Sequence, residues 1–161
     1  MRFRAATTGD LEAVLAIIAR ADEQSGDWAP GGRPHAPSAD YDRARISSML
    51  AGDASYNEVA EADGSVVGFV NGHPRGEVVH ISYLFVDPDH QGRGIGTQML
   101  EHAVEAAARN GHRRATLNTA VLNRRARDFY ERAGWIDTGG RSHNAEIGLE
   151  MADYALELAP Q

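Results

Sequence analysis

The segment from Val78 to Thr119 constrains this chain most. Val78–Val86 (Val-Val-His-Ile-Ser-Tyr-Leu-Phe-Val) reads as a mostly buried strand, and Asp87-Pro88 ends it, because proline cannot donate to a sheet ladder. Gly92, Gly94 and Gly96 follow. Then Ile95, Met99, Leu100, Ala103, Val104 and Ala107 form one helical stripe over Ile95–Asn110, stopped by Gly111. Ala115–Thr119 reads as a strand again. Strand, helix and strand in that order imply a parallel pair joined by a right-handed crossover. A glycine-rich turn stands where the strand hands over to the helix.

The flanks complete the sheet. Residues 2–6 read as a first strand, and Leu11, Val14, Leu15 and Ile18 mark an amphipathic helix fading near Asp22. Residues 23–38 hold three prolines and three glycines and predict a long loop, a length that is usually functional or mobile. A short helix is expected over Tyr41–Leu50. Tyr56–Glu61 and Val66–Asn71 flank the hairpin signal Asp63-Gly64, and with Val78–Val86 they make an antiparallel meander. Asn123 caps a helix running to Ala133. Trp135–Thr138 and Met151–Leu158 read as strands, and Gly139–Gly148 as a polar loop. The expectation is an α/β domain over residues 1–161, a mixed central sheet of about seven strands flanked by about four helices.

Composition removes several chemistries. The chain has no cysteine and no lysine, and all 16 cations are arginine. Thiolate nucleophiles, disulfides, Cys-based zinc sites, Walker A loops and Schiff-base lysines are therefore excluded, and no metal is expected. No apolar run reaches the roughly 18 residues that span a bilayer, so a cytoplasmic protein with no membrane partner is expected. The net charge of −7 is uneven. Asp87 to Arg132 carries eight arginines against six carboxylates, the remainder eight against seventeen. A polyanion suits the first segment and a cation the rest, and the acidic whole argues against nucleic acid.

Glycines at 92, 94 and 96 let backbone N–H groups converge at a helix N-terminus, which makes a phosphate site without lysine. A plain glycine-rich connection is the competing explanation. The dinucleotide-binding spacing fails, because it needs glycine where Thr97 stands.

Gln91-x-x-Gly94-x-Gly96 after Val86-Asp87-Pro88 is more specific, and so is Asn123-x-x-Ala126-x-x-Phe129-Tyr130-Glu131-x-x-Gly134-Trp135. With both motifs the chain resembles the GNAT superfamily of acetyl-CoA-dependent N-acyltransferases. The resemblance covers nearly the whole chain as element order and is sharp over Leu84–Leu100 and Asn123–Trp135. It implies that the strand before the turn splays from its neighbour, and that the backbone of Leu84, Phe85 and Val86 pairs with the pantetheine arm. It places Gln91, Gly92, Arg93, Gly94, Ile95, Gly96 and Thr97 around the pyrophosphate. Asn123 would hydrogen-bond the cofactor arm, and Tyr130, seven residues on and two helical turns away, would protonate the departing thiolate. Simple capping and packing are the alternative for this pair. A Tyr near pKa ~10 and a thiol near ~8.5 are closely matched for that transfer. Arg113, Arg114, Arg124, Arg125 and Arg127 are candidates for the adenosine 3′-phosphate, against a solvated helix face.

An amine acceptor must lose a proton, at a cost of about 4–5 kcal/mol at neutral pH for an alkylamine. Several family members use a Glu five residues before the motif Asn, where this chain has Asn118. Others use Glu or His at the position of His80, which shares strand parity with Ser82 and Leu84 in the absence of a bulge. His80 is the candidate base or the end of a water relay, and a histidine satisfied within the sheet is the alternative. Glu77, Asp27 and Glu23 are weaker candidates. The 23–38 loop, with Trp28 and His35, and the Gly139–Gly148 loop, with Arg141 and His143, are expected to wall the acceptor pocket. The reading is direct acetyl transfer from acetyl-CoA to a primary amine, with a cationic acceptor favoured. A non-catalytic acyl-CoA sensor, a longer acyl donor and a homodimer stay open.

Overall fold

A computed structural model of the chain describes residues 1–24, 28–29, 39–52 and 54–160. Among these, seven strands form one mixed sheet: β1 (Arg2–Ala5), β2 (Tyr56–Ala62), β3 (Ser65–Arg75), β4 (Val78–Val86), β5 (Arg114–Ala120), β6 (Ile136–Asn144) and β7 (Leu149–Glu157). Their spatial order is β1-β2-β3-β4-β5-β7-β6. Four α-helices flank the sheet: α1 (Leu11–Gln24), α2 (Ala39–Ala51), α3 (Ile95–Arg109) and α4 (Arg124–Arg132). The α/β architecture read from the sequence is the one observed.

Each sheet face has its own core. Val14 and Ile18 of α1 with Ile46 and Leu50 of α2 close over Val59, Phe69 and Tyr83. Ile95, Met99 and Ala103 of α3 pack on Ala60, Val67, Val70, Val79 and Ile81 on the other face. Each such large side chain contributes roughly 1.5–3 kcal/mol by leaving water. Asp63 and Gly64 at φ 52° and 78° make the tight turn between β2 and β3.

Two features of β4 position the site. It pairs in parallel with β5 only through Val78–His80 against Arg114–Thr116. Beyond His80 the two strands part, while β5 stays paired with β7 along its whole length. The backbone of residues 81–86 thus has no strand partner on its β5 side. Second, Asn71 pairs with Tyr83 but Gly72 with Ile81, so Ser82 is an extra residue, a β-bulge. Val79 and Ile81 face α3, Tyr83 faces α1 and α2, and Leu84 turns back toward α3. His80 and Leu84 therefore lie on opposite faces, which corrects the parity expected for an unbulged strand.

The Gly139–Gly148 loop is also corrected. β6 continues to Asn144, with Arg141–Asn144 paired to Leu149–Ala152, and only residues 145–148 turn. The polar side chains hold the irregular edge. The Asp137 carboxylate accepts from Gly139 N–H and from the Arg141 guanidinium, both at 2.9 Å, and Gly139 takes φ 84° at the register shift. α1 runs two residues beyond Asp22. No helix among the described residues is long and apolar enough to cross a membrane.

Candidate active site

Where β4 leaves β5, a cleft of 690 Å³ opens. Leu84, Phe85, Val86, Gln91, Gly92, Gly94, Ile95, Gly96, Thr97, Asn123 and Tyr130 all line it, so nearly every residue singled out in the two motifs converges there. Arg93 and His80 do not line it. Arg93 is exposed and donates to the Asp89 carbonyl at 3.2 Å.

The glycine turn is built from both ends. Asp87 accepts from Asp89 N–H at 3.0 Å, opening a 3₁₀ turn over Pro88–His90, and its own N–H donates to Val67 O at 2.8 Å. Arg20 of α1 forms ion pairs with Asp87 and Asp89. The Gln91 amide donates to Val86 O at 3.1 Å and exchanges hydrogen bonds with Gln24. Gly92 and Gly94 stand at φ 76° and 79°. Gly94 is the N-cap of α3 and supplies no side-chain acceptor, so the first amides of α3 face the cleft side of the turn uncapped, at the positive end of the helix dipole. An uncapped helix start fits a phosphate, and the unpaired β4 edge fits an extended amide-bearing arm.

α4 presents the other wall. The Asn123 side-chain Oδ1 accepts from Ala126 N–H at 3.1 Å; the cap occupies that oxygen and not the side-chain N–H groups. The Tyr130 ring is bordered by Phe129 at 5.2 Å and by Trp135 and Tyr154 at 6.2 Å each. Among the described residues no hydrogen bond reaches its hydroxyl, and burial pushes its pKa up to about 12.

His80 sits where β4 and β5 part. Its Nδ1 lies 2.9 Å from the Thr116 hydroxyl, its last register partner on β5, and its ring 5.7 Å from that of His73. His73 contacts Ser82 Oγ at 3.1 Å and accepts from Arg75 at 3.1 Å. Burial first, then Arg75, His73 and Arg45, pushes the His80 pKa down to about 4. The ring is neutral at pH 7.

Of the other candidates, Asn118 is exposed on β5, Glu23 is exposed on α1, and Glu77 is exposed in the β3–β4 turn. Asp27 and His35 lie outside the described residues. Trp28 lines the cleft, Arg141 is held by Asp137, and His143 pairs with Glu150 in the β6–β7 ladder. Among the five arginines considered for a phosphate, Arg125 lines the cleft, Arg114 pairs with Glu157 at 3.3 Å, and Arg127 is engaged internally. Sequence reasoning missed Ala21, Asp22 and Gln24 of α1, and Arg132, which joins Arg125 in the lining. The seven-residue spacing of those two arginines was a legible signal for a shared helical face. Among the described residues no group of three or more His, Asp or Glu could hold a metal ion.

A strand edge opened beside a parallel neighbour, a glycine turn at an uncapped helix start and a second helix closing the cleft define an acyltransferase-type α/β fold. The acetyltransferase (GNAT) family profile matches residues 19–135, and the chain belongs to this family of acetyltransferases. An uncharacterized N-acetyltransferase of Methanocaldococcus jannaschii is 40% identical over 84 residues, 48% of this chain and 37% of that protein. The matches span between 30% and 67% of the length of the first curated relatives. The ribosomal-protein-S18-alanine N-acetyltransferase of Escherichia coli superposes with a TM-score of 0.73 at 20% identity, covering 99% of this chain and 95% of that one. An aminoglycoside 6′-N-acetyltransferase complexed with coenzyme A gives 0.77 at 14% identity, covering 100% and 99%. At such identities the two structures share the fold with this chain.

Proposed function

We propose that this protein transfers acetyl from acetyl-CoA directly to a primary amine of a small molecule or peptide. One observation carries the reading: the unpaired β4 edge, the uncapped start of α3 and the Tyr130 phenol meet in one cleft. The coenzyme A held by a solved structure of the same fold supports the donor.

When bound, acetyl-CoA supplies a thioester carbonyl open to attack by an amine. The turn residues Gln91, Gly92 and Gly94–Thr97 hold the pyrophosphate through backbone N–H groups, and the β4 edge at Leu84–Val86 and the Asn123 amide align the arm. A backbone N–H of Leu84–Val86 donates to the carbonyl oxygen as negative charge develops there. The N–C bond forms, the C–S bond breaks, and Tyr130 passes its proton to the sulfur. With its pKa near 12, the phenol is always protonated at neutral pH. The gap to a solvated thiol, near ~8.5, is wide, but burial that disfavours phenolate disfavours thiolate too, which narrows it. His80, neutral at pH 7 but outside the cleft lining, stands at the end of a water relay that carries the nitrogen's surplus proton away. The acidic balance outside Asp87–Arg132 favours a cationic acceptor.

A thiol-release assay with acetyl-CoA against a panel of cationic and neutral amines tests this. Release that depends on the amine, and is faster with cationic members, is expected. Saturable acetyl-CoA binding with no release across the panel would establish the sensor reading instead.

A further inference from the structure

α4 bears both Asn123 at its cap and Tyr130 on its last turns, yet none of its nine residues is fully buried. Of its apolar side chains, Phe129 and Tyr130 pack against the core only partly buried. A polar junction adds to that anchorage. The hydroxyl of Tyr154, a β7 residue 1% exposed, accepts from Arg127 Nε at 2.9 Å and donates to Glu131 Oε1 at 2.8 Å. Arg127 and Glu131 are four residues apart on α4, on either side of Tyr130 in sequence. Arg127 also donates to Val121 O at 3.1 Å, before the helix, and to Asp137 Oδ2 at 3.1 Å, on β6. One guanidinium thus ties α4 to the preceding loop, to β6 and to β7. The ring whose hydroxyl forms this junction also borders the Tyr130 ring, 6.2 Å between centroids.

We propose that Arg127 and Tyr154 are positioning residues for the transfer step: they fix the height and rotation of α4, and so where the Tyr130 hydroxyl stands over the cleft. The inference rests on the acid role proposed for Tyr130. The Tyr130 hydroxyl has no hydrogen bond among the described residues, so it is placed only by its ring neighbours and by the seat of its helix. Three of the guanidinium's five N–H donors point in fixed directions to acceptors on three different elements. Lysine, a point charge without the planar fork, cannot hold all three at once.

The test is a double-mutant cycle in the full chain. Tyr154→Phe keeps the ring and removes the Arg127–Tyr154–Glu131 link, leaving the Arg127 bonds to Val121 and Asp137. Its kcat should fall about 10–100-fold, the usual consequence of a reacting group displaced by an ångström or so, with KM for acetyl-CoA unchanged. Combined with Tyr130→Phe it should cost nothing further, because a misplaced acid and an absent one are the same loss. Glu131→Ala removes the acceptor of the Tyr154 hydroxyl at an exposed position and should lower kcat in the same sense, so the result stands even where Tyr154→Phe folds poorly. Arg127→Lys should restore part of the turnover lost in Arg127→Gln. Wild-type kcat in both Tyr154→Phe and Glu131→Ala, or a fully additive loss in the double variant, overturns the positioning role alone. Wild-type turnover in Tyr130→Phe overturns the acid role itself and this inference with it.

Discussion

Gln24, the last residue of α1, and Gln91, in the glycine turn, exchange a reciprocal pair of amide hydrogen bonds at 3.1 and 3.0 Å. The Arg20 ion pairs with Asp87 and Asp89 lie one helical turn earlier on the same helix. α1 is therefore fastened to the loop proposed to hold the pyrophosphate, and the end of that helix, with Asp22 and Trp28, walls the same cleft. Replacing Gln24 by Leu leaves the Gln91 amide without this partner. Acetyl-CoA affinity is expected to fall about 3–10-fold, the worth of one or two net hydrogen bonds, with kcat little changed. Isothermal calorimetry and initial rates would separate these, and an unchanged Kd would show that Gln91 keeps its place through Val86 O alone.

The glycine turn separates binding from stability. An aspartate at position 96 sits in the first turn of α3, where negative charge is favourable to the helix by about 0.3–1 kcal/mol. A Cβ there meets Val86 and Phe129 only at ordinary contact, 3.6 and 3.7 Å. Gly96→Asp should therefore melt no earlier than wild type without ligand, yet lose most of its acetyl-CoA binding by charge repulsion. Gly94→Glu adds the strain of a side chain at φ 79° and should lose both. Thermal shift with and without acetyl-CoA reads both effects; full ligand-induced stabilisation in Gly96→Asp would remove the phosphate site from this turn.

Tyr130→Phe should bind acetyl-CoA almost normally and turn over about 10²–10⁴-fold more slowly, in kcat and kcat/KM alike. The pKa near 12 adds a pH signature: deprotonation of this group should not limit the rate below pH 10. An alkaline limb near pH 9 that persists in Tyr130→Phe belongs to another group.

His80 makes a prediction with a defined sign. Its pKa in the fold, about 4, lies below the ordinary value of 6.5, so between those values the unfolded chain binds more protons than the native one. Stability contributed by neutral His80 is present above pH 6.5 and is lost as pH falls toward 4. His80→Gln should flatten the dependence of melting temperature on pH across that window. If His80 is the base, the acidic limb of kcat/KM should lie near pH 4 rather than 6.5 and vanish in His80→Gln, with a lowered plateau. An unmoved limb assigns proton removal elsewhere.

The element order, both motif helices and the tight turns follow from local physics that a sequence displays openly. Period-3.6 apolar stripes specify α1 and α3. Asp63-Gly64 and the stop at Gly111, with φ 85°, occupy backbone regions that few other residues tolerate. Asn123 declares a cap, and the cap forms. The meeting of Leu84–Val86, the glycine turn, Asn123 and Tyr130 is implied by the resemblance that the two motifs carry, and these residues line one cleft.

Three things depended on contacts between residues distant in sequence. The Ser82 bulge, which puts His80 and Leu84 on opposite faces, comes from how β3 pairs with β4, and no pattern within Val78–Val86 reports a register with another strand. β6 crosses Gly139-Gly140 because Asp137, Arg141 and β7 supply hydrogen bonds that local propensity does not foresee. The seat of α4 includes an Arg127–Tyr154–Glu131 junction joining residues up to 27 apart. A sequence determines which residues can cap, turn or line an apolar stripe, since those are properties of a residue and its near neighbours. Which face a strand residue serves, and which polar group meets which, is decided by pairing across the sheet, where a one-residue shift reverses every side chain beyond it.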